Sequence, residues 1–276
     1  MVNSHGRFIW YELITTDMEA AKTFYANVVG WGTRDASTPG MAYTLFTVAD
    51  ASVTGLMGLP EDAGKMGAKP CWIGYVGVDD VNATADRIER LGGTVHVPPV
   101  DIPGISRFSI GADPQMATFA VFKWLISGRE QPAGLETPGH VGWHELLAAD
   151  REKALAFYGE LFGWQRAEAD IGAMGTYQLF SAGGQTIGAM ITKPAMVPTP
   201  LWLYYFNIGD IDAAAKRVKA GNGQILDSPM EVPGGNWIVQ CKDPQGAMFA
   251  LLGKRKDQAI GYFERVASRD PSRRSF

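Results

Sequence analysis

The chain has 276 residues, 46% hydrophobic and 20% charged, with a formal net charge of −4. That length suits two domains of about 130 residues, each with apolar material for its own core, and the slight acidity excludes the clustered basic surface that nucleic acid demands. No apolar run approaches the roughly 18–20 residues of a membrane span, and the opening MVNSHGRF lacks an apolar signal segment, which points to the cytoplasm.

In chain order, Phe8 to Ile14 alternates like a strand, and Asp17 caps a helix over Met18–Val29 with Ala21, Phe24, Tyr25 and Val28 on one face. Gly30 stops that helix. Strands are expected over Ala42–Val48, Val53–Leu59 and Trp72–Val78, then a second helix from Asp80 to Leu91 ending at Gly92-Gly93. Strands over Thr94–Val97, Ser106–Gly111 and Thr118–Trp124 complete this half. The same order returns as a strand over 140–147, a helix over 151–162 and strands near 176–181, 186–192 and 201–208. A helix over 211–220 and strands near 223–227, 236–241 and 247–252 follow. Pro and Gly mark Gln131–Gly139 as a linker, and 256–268 reads as a short amphipathic helix. The expected division is domain 1 over 1–127, linker over 128–139, domain 2 over 140–254, and a C-terminal helix and tail over 255–276.

The second half repeats the first residue by residue. Trp10-Tyr11-Glu12-Leu13 returns as Trp143-His144-Glu145-Leu146, Phe24-Tyr25 as Phe157-Tyr158, and Gly30-Trp31 as Gly163-Trp164. Glu12 to Glu145 and Trp31 to Trp164 are both separated by 133 residues; Asp113-Pro114-Gln115 returns 130 residues on as Asp243-Pro244-Gln245. Tyr43-Thr44-Leu45-Phe46 is echoed by Tyr177-Gln178-Leu179-Phe180, and Trp72 with Tyr75 by Trp202 with Tyr205. So long a period is a duplicated domain rather than a solenoid.

Paired strand–helix–strands modules carrying W-x-E-L-x-x-x-D, F-Y, G-W and D-P-Q-G resemble the vicinal oxygen chelate superfamily. That superfamily holds glyoxalase I, extradiol dioxygenases and bleomycin-resistance proteins. The resemblance covers about 7–124 and 138–253 and implies an α+β fold of tandem glyoxalase-like domains, each a cupped mixed sheet built from β-α-β-β-β modules. It fits best a two-domain bacterial branch labelled glyoxalase-like or hydroxylase-like.

Enzymes of that family hold a divalent metal through three or four His, Glu or Gln side chains in the cup. The corresponding positions here are Trp10, Ile73 and Ala120 in the first half and Trp143, Leu203 and Ala250 in the second. None is a ligand, so neither metal nor other cofactor is expected. His140, His144 and Glu145 share one strand, but alternation turns His144 away from Glu145, which makes His144 a partly buried structural residue. His5 and His96 have no matching donors in the other half.

Alternation places Phe8, Trp10 and Glu12 on one face, and Tyr75 and Phe122 on the face of the vacated metal positions. Trp143, Glu145 and Tyr205 repeat the arrangement. Each cup is expected to hold an aromatic wall, a carboxylate and a phenol. A buried carboxylate needs a partner, for which a tyrosine, a backbone N–H or Arg7 are candidates. The ligand-binding candidates are therefore Trp10, Glu12, Tyr75, Phe122, Trp143, Glu145 and Tyr205. No strand–GxGxxG–helix and no G-x-S-x-G elbow is present, and Cys71 and Cys241 read as buried thiols.

Two functions fit. One is a metal-free protein that, like bleomycin-resistance proteins, holds a small aromatic or cationic molecule in the cup. The other is a metal-dependent lyase, hydroxylase or dioxygenase of the same superfamily. The expected partner is a small molecule, with no nucleic acid and no membrane, in a monomer with internal pseudo-twofold symmetry or a homodimer.

Overall fold

The protein, represented by a computed structural model, is described over residues 4–126, 133–167 and 177–255. The helix expected over 256–268 lies outside the described residues. In the first half β1 (Phe8–Thr15), α1 (Met18–Val28), β2 (Gly32–Asp35), β3 (Tyr43–Val48) and β4 (Ala51–Gly58) form one module. After the short α2 (Glu61–Lys65), a second module follows: β5 (Cys71–Gly77), α3 (Val81–Arg90), β6 (Thr94–Ile102), β7 (Ser106–Ala112) and β8 (Thr118–Trp124). They join in one sheet, β2-β3-β4-β1-β5-β8-β7-β6, through antiparallel pairing of β1 with β5.

The second half repeats this with β9 (Val141–Ala148), α4 (Arg151–Phe162), β10 (Gln165–Ala167), β11 (Gln178–Ala182) and β12 (Gln185–Thr192). Its other module has β13 (Leu201–Asp210), α5 (Ile211–Ala220), β14 (Gln224–Ile225), β15 (Met230–Val232), β16 (Asn236–Lys242) and β17 (Met248–Lys254). The order is β10-β11-β12-β9-β13-β17-β16-β14, with β15 added on β16. The architecture is the mixed α+β tandem that the family resemblance implied.

Local chemistry sets each helix. Asp17, Asp80, Asp150 and Asp210 stand at the N-caps of α1, α3, α4 and α5, and each carboxylate accepts from backbone N–H of the first turn, contacts worth about 1 kcal/mol apiece. Gly163 ends α4 in the left-handed region, at φ 74°, where a Cβ would be strained.

The helices lie on one face of each sheet and pack across the halves, α1 on α5 and α3 on α4. One apolar core therefore runs through both halves, and a smaller cluster occupies the opposite face of each sheet. The repeated motifs explain this joint. The Tyr25 hydroxyl donates to Asp243 at 3.1 Å and accepts from the Trp72 indole at 2.9 Å. Reciprocally, Tyr158 donates to Asp113 at 3.1 Å and accepts from Trp202 at 3.0 Å. The Trp31 indole donates to the Gly139 carbonyl, and the Trp164 indole to that of Gly6. Each half holds the other with the same side chains.

Several expectations need correction. The strands β2 and β10 went unforeseen because their residues are mostly exposed and do not alternate; α2 and β15 are equally short. The edge strand β6 runs on through Pro98-Pro99 to Ile102, interrupted by bulges, which an edge tolerates. A bulge between Phe8 and Trp10 turns Phe8 off the cup face and into the shared core, where it stacks on His144 at 4.3 Å. Among the described residues no helix is long and apolar enough to cross a membrane.

Candidate functional site

Strand register builds two corresponding cups. In the first, Trp10 stands opposite Tyr75, Tyr75 opposite Ala120, and Glu12 opposite Ile73. In the second, Trp143 stands opposite Tyr205, Tyr205 opposite Ala250, and Glu145 opposite Leu203. All seven ligand-binding candidates thus lie on cup faces. Glu12, Tyr75, Phe122, Glu145 and Tyr205 are buried, whereas Trp10 and Trp143 are half-buried.

At the floor of the first cup, Glu12 accepts from the Tyr75 hydroxyl at 2.7 Å and from Tyr43, which is in turn bonded to Trp10. Gly55 leaves the room for this, since a Cβ there would collide with the Tyr43 hydroxyl. In the second cup, Glu145 accepts from Tyr177 at 2.7 Å, from Tyr205 at 3.0 Å and from the Gln240 amide at 3.2 Å. The Trp143 indole donates to Tyr177 at 2.9 Å. Burial pushes both carboxyls above the usual Glu range, and their tyrosine bonds offset this in part. Arg7 is not the carboxylate's partner; it donates to Gln185 at 2.8 Å. Tyr43 and Tyr177 were missed as site residues, although their recurrence in the repeat was the available signal. Gln240 gave no such signal, because its counterpart is Ile110.

This donor set does not suit a metal. Each cup offers one carboxylate already engaged by phenols, and the positions facing it are Ile73 and Ala120, or Leu203 and Ala250. Among the described residues no group of three His, Cys, Asp or Glu side chains converges, fewer donors than zinc or a harder cation requires.

The walls differ more than the floors. The first cup is lined by Trp10, Phe108, Phe122 and Trp124, with Phe122 against Trp124 at 4.6 Å and Tyr75 against Phe122 at 5.8 Å. The counterparts of Phe108, Phe122 and Trp124 in the second are Ile238, Leu252 and Lys254.

His144 belongs to neither cup. It lies on the joint between the halves, buried, and meets its own repeat counterpart, Tyr11, at 2.6 Å. The Ile187 carbonyl, 2.6 Å from Nδ1, can only accept. The Nδ1 therefore carries the proton, and Nε2 accepts from the Tyr11 hydroxyl. Burial brings the imidazole pKa down to about 4.

Known proteins place the chain. The family described as the glyoxalase/bleomycin resistance protein/dioxygenase superfamily matches residues 7–121 and again 137–251. CFP32 of Mycobacterium tuberculosis, whose name assigns it provisionally to the glyoxylases, is 34% identical over 88% of this chain and 93% of its own length. The anthracycline biosynthesis protein DauV of a Streptomyces species is 30% identical over 91% of this chain and 94% of its own. Among solved structures, a Mn(II)-bound glyoxalase from Novosphingobium aromaticivorans superposes with a TM-score of 0.61 at 17% identity, covering 91% of this chain and 83% of its own. The 2,3-dioxygenase LapB from Pseudomonas sp. KL28 gives 0.61 at 12%, covering 91% and 92%. Matched twice in tandem and along nearly all its length, the chain belongs to the glyoxalase/bleomycin resistance protein/dioxygenase superfamily.

Proposed function

We propose that the protein binds a small aromatic molecule, without a metal, in the cup of its first half. The observation that carries this reading is the pairing of an aromatic wall, Trp10, Phe108, Phe122 and Trp124, with a floor carboxyl already taken by two phenols. Rings stack on such a wall, edge or face on, with about 0.5–1.5 kcal/mol per contact beyond the area buried. Glu12 and Glu145 hold their tyrosines in place rather than meeting a ligand's charge: each accepts two hydroxyls, and burial favours their neutral forms. A cationic ligand therefore has no free counter-ion there, which narrows the ligand class to aromatic. Anthracyclines are fused-ring aromatic compounds, and the similarity to a protein named for their biosynthesis supports an aromatic ligand.

The similarity to a relative named as a glyoxylase favours a metal-dependent enzyme instead. The cups do not supply its ligands. Titration with 2-naphthol, followed by tryptophan fluorescence, separates the two. Saturable binding that is independent of added Mn²⁺ and weakened by Trp124→Leu, with Trp143→Leu unaffected, supports the proposal. Binding that needs the ion, or that is lost only in Trp143→Leu, contradicts it.

A further inference from the structure

A cavity of about 480 Å³ lies where the first cup meets the joint between the halves, within the roughly 300–1,000 Å³ range of small-molecule sites. It exists because β1 and β4 splay. They pair only from Glu12–Gly55 onward, which leaves the start of β1 and residues 50–53 apart, with the second half behind them. Its lining joins three kinds of group. Trp10 and Trp124 come from the aromatic wall, Tyr11 and His144 from the joint, and Arg7 and Arg34 bring positive charge. Arg7 donates to the Gln185 amide oxygen and Arg34 to the Ser52 hydroxyl at 2.5 Å. Among the described residues neither guanidinium forms an ion pair with a carboxylate. Asp50 is the one acidic residue of the lining, so two cations face one anion.

The second half cannot build the same site. The counterparts of Arg7, Arg34 and Trp124 are His140, Ala167 and Lys254, so the second half lacks this combination of guanidinium pair and ring wall. We propose that this cavity binds an aromatic carboxylate or comparable aromatic anion, its rings on Trp10 and Trp124 and its anionic group on Arg7 and Arg34. The guanidinium fork suits that role, because its planar donors match a carboxylate in pairs. The proposal rests on the aromatic reading of the first cup and adds to it the ligand's charge and the inter-half location.

The test uses three isosteric probes on the full chain: 2-naphthoate, 2-naphthamide and 2-naphthylmethylammonium, each titrated by tryptophan fluorescence. The naphthoate should bind about tenfold or more tightly than the amide, the usual weight of a charge-assisted bond, and the ammonium should bind weakest. Arg7→Gln combined with Arg34→Gln should weaken the naphthoate about tenfold or more and the amide far less, so that the preference for the naphthoate disappears. Trp124→Leu should weaken all three. Equal affinity for the three probes, or a naphthoate affinity untouched by the arginine changes, overturns the anion site while leaving aromatic binding in place. Preference for the ammonium does the same. Failure of every probe to bind overturns both readings.

Discussion

The joint between the halves and the two cups hold the same repeat under different constraints. At the joint the side chains are kept in kind and used reciprocally: Tyr25 with Asp243 and Trp72, Tyr158 with Asp113 and Trp202. In the cups the floor is kept, a Glu between tyrosines, while the wall changes from Phe108, Phe122 and Trp124 to Ile238, Leu252 and Lys254. A buried polar network tolerates no partial edit, because a lost partner leaves a desolvated group without a bond. An open wall carries no such penalty, and it is there that the halves have become different.

The joint should therefore be the most sensitive region. Asp243 accepts from Tyr25 and from the backbone N–H groups of Gln245 and Ala247, and Asp113 from Tyr158, Gln115 and Ala117. Asp243→Ala and Asp113→Ala should each cost about 3–5 kcal/mol by denaturant unfolding, the range for breaking a buried network. A loss confined to one of the two would show that the reciprocity is geometric only.

Next comes an asymmetric place in the joint, Tyr11 with its counterpart His144. Around the imidazole stand Phe8, Tyr11, Tyr204 and the Ile187 carbonyl, none of them an anion that would favour its protonated form. Its pKa falls from 6.5 in the open chain to about 4 in the fold, so the unfolded chain binds the extra proton between those values. Stability from this residue is complete above about pH 6.5 and is lost as pH falls through about 4. The total is roughly 3 kcal/mol at about 1.4 kcal/mol per pH unit. The raised pKa of Glu12 and Glu145 has the opposite sign and favours the fold at low pH. His144→Gln should flatten the acid limb of a stability–pH curve; an unchanged limb would place the acid sensitivity elsewhere.

Smaller effects sharpen the comparison of the floors. Glu145→Gln disturbs three donors and Glu12→Gln two, so each should lose about 1–2 kcal/mol of stability, the second half slightly more. Aromatic-probe affinity should hardly move in either. A large affinity loss with intact melting would turn the carboxylates from positioning groups into ligand contacts.

Much of this was legible in the sequence because the repeat offered every motif twice. Helix caps and the stop at Gly30 follow from spacing; alternation puts Trp10 and Glu12 on one face, and the family resemblance makes that face, with Tyr75, the cup. Phe8 did not follow, since a single bulge reverses every residue beyond it. The purpose of F-Y, G-W and D-P-Q-G was also hidden. Their partners lie 218 residues apart in the case of Tyr25 and Asp243, and no local rule joins positions that distant. The inter-half cavity was invisible for the same reason. The counterparts of Arg7 and Arg34 are His140 and Ala167, so the repeat does not mark them, and only the fold brings both to one cavity with Trp124.

The most direct measurement is calorimetric titration of Mn²⁺, Ni²⁺ and Zn²⁺ into chelator-treated protein at neutral pH. With Trp10, Ile73 and Ala120 in one cup and Trp143, Leu203 and Ala250 in the other, no saturable site should be seen. One ion bound per chain, and lost in Glu145→Gln, would contradict a metal-free cup and return the protein to its metal-dependent relatives.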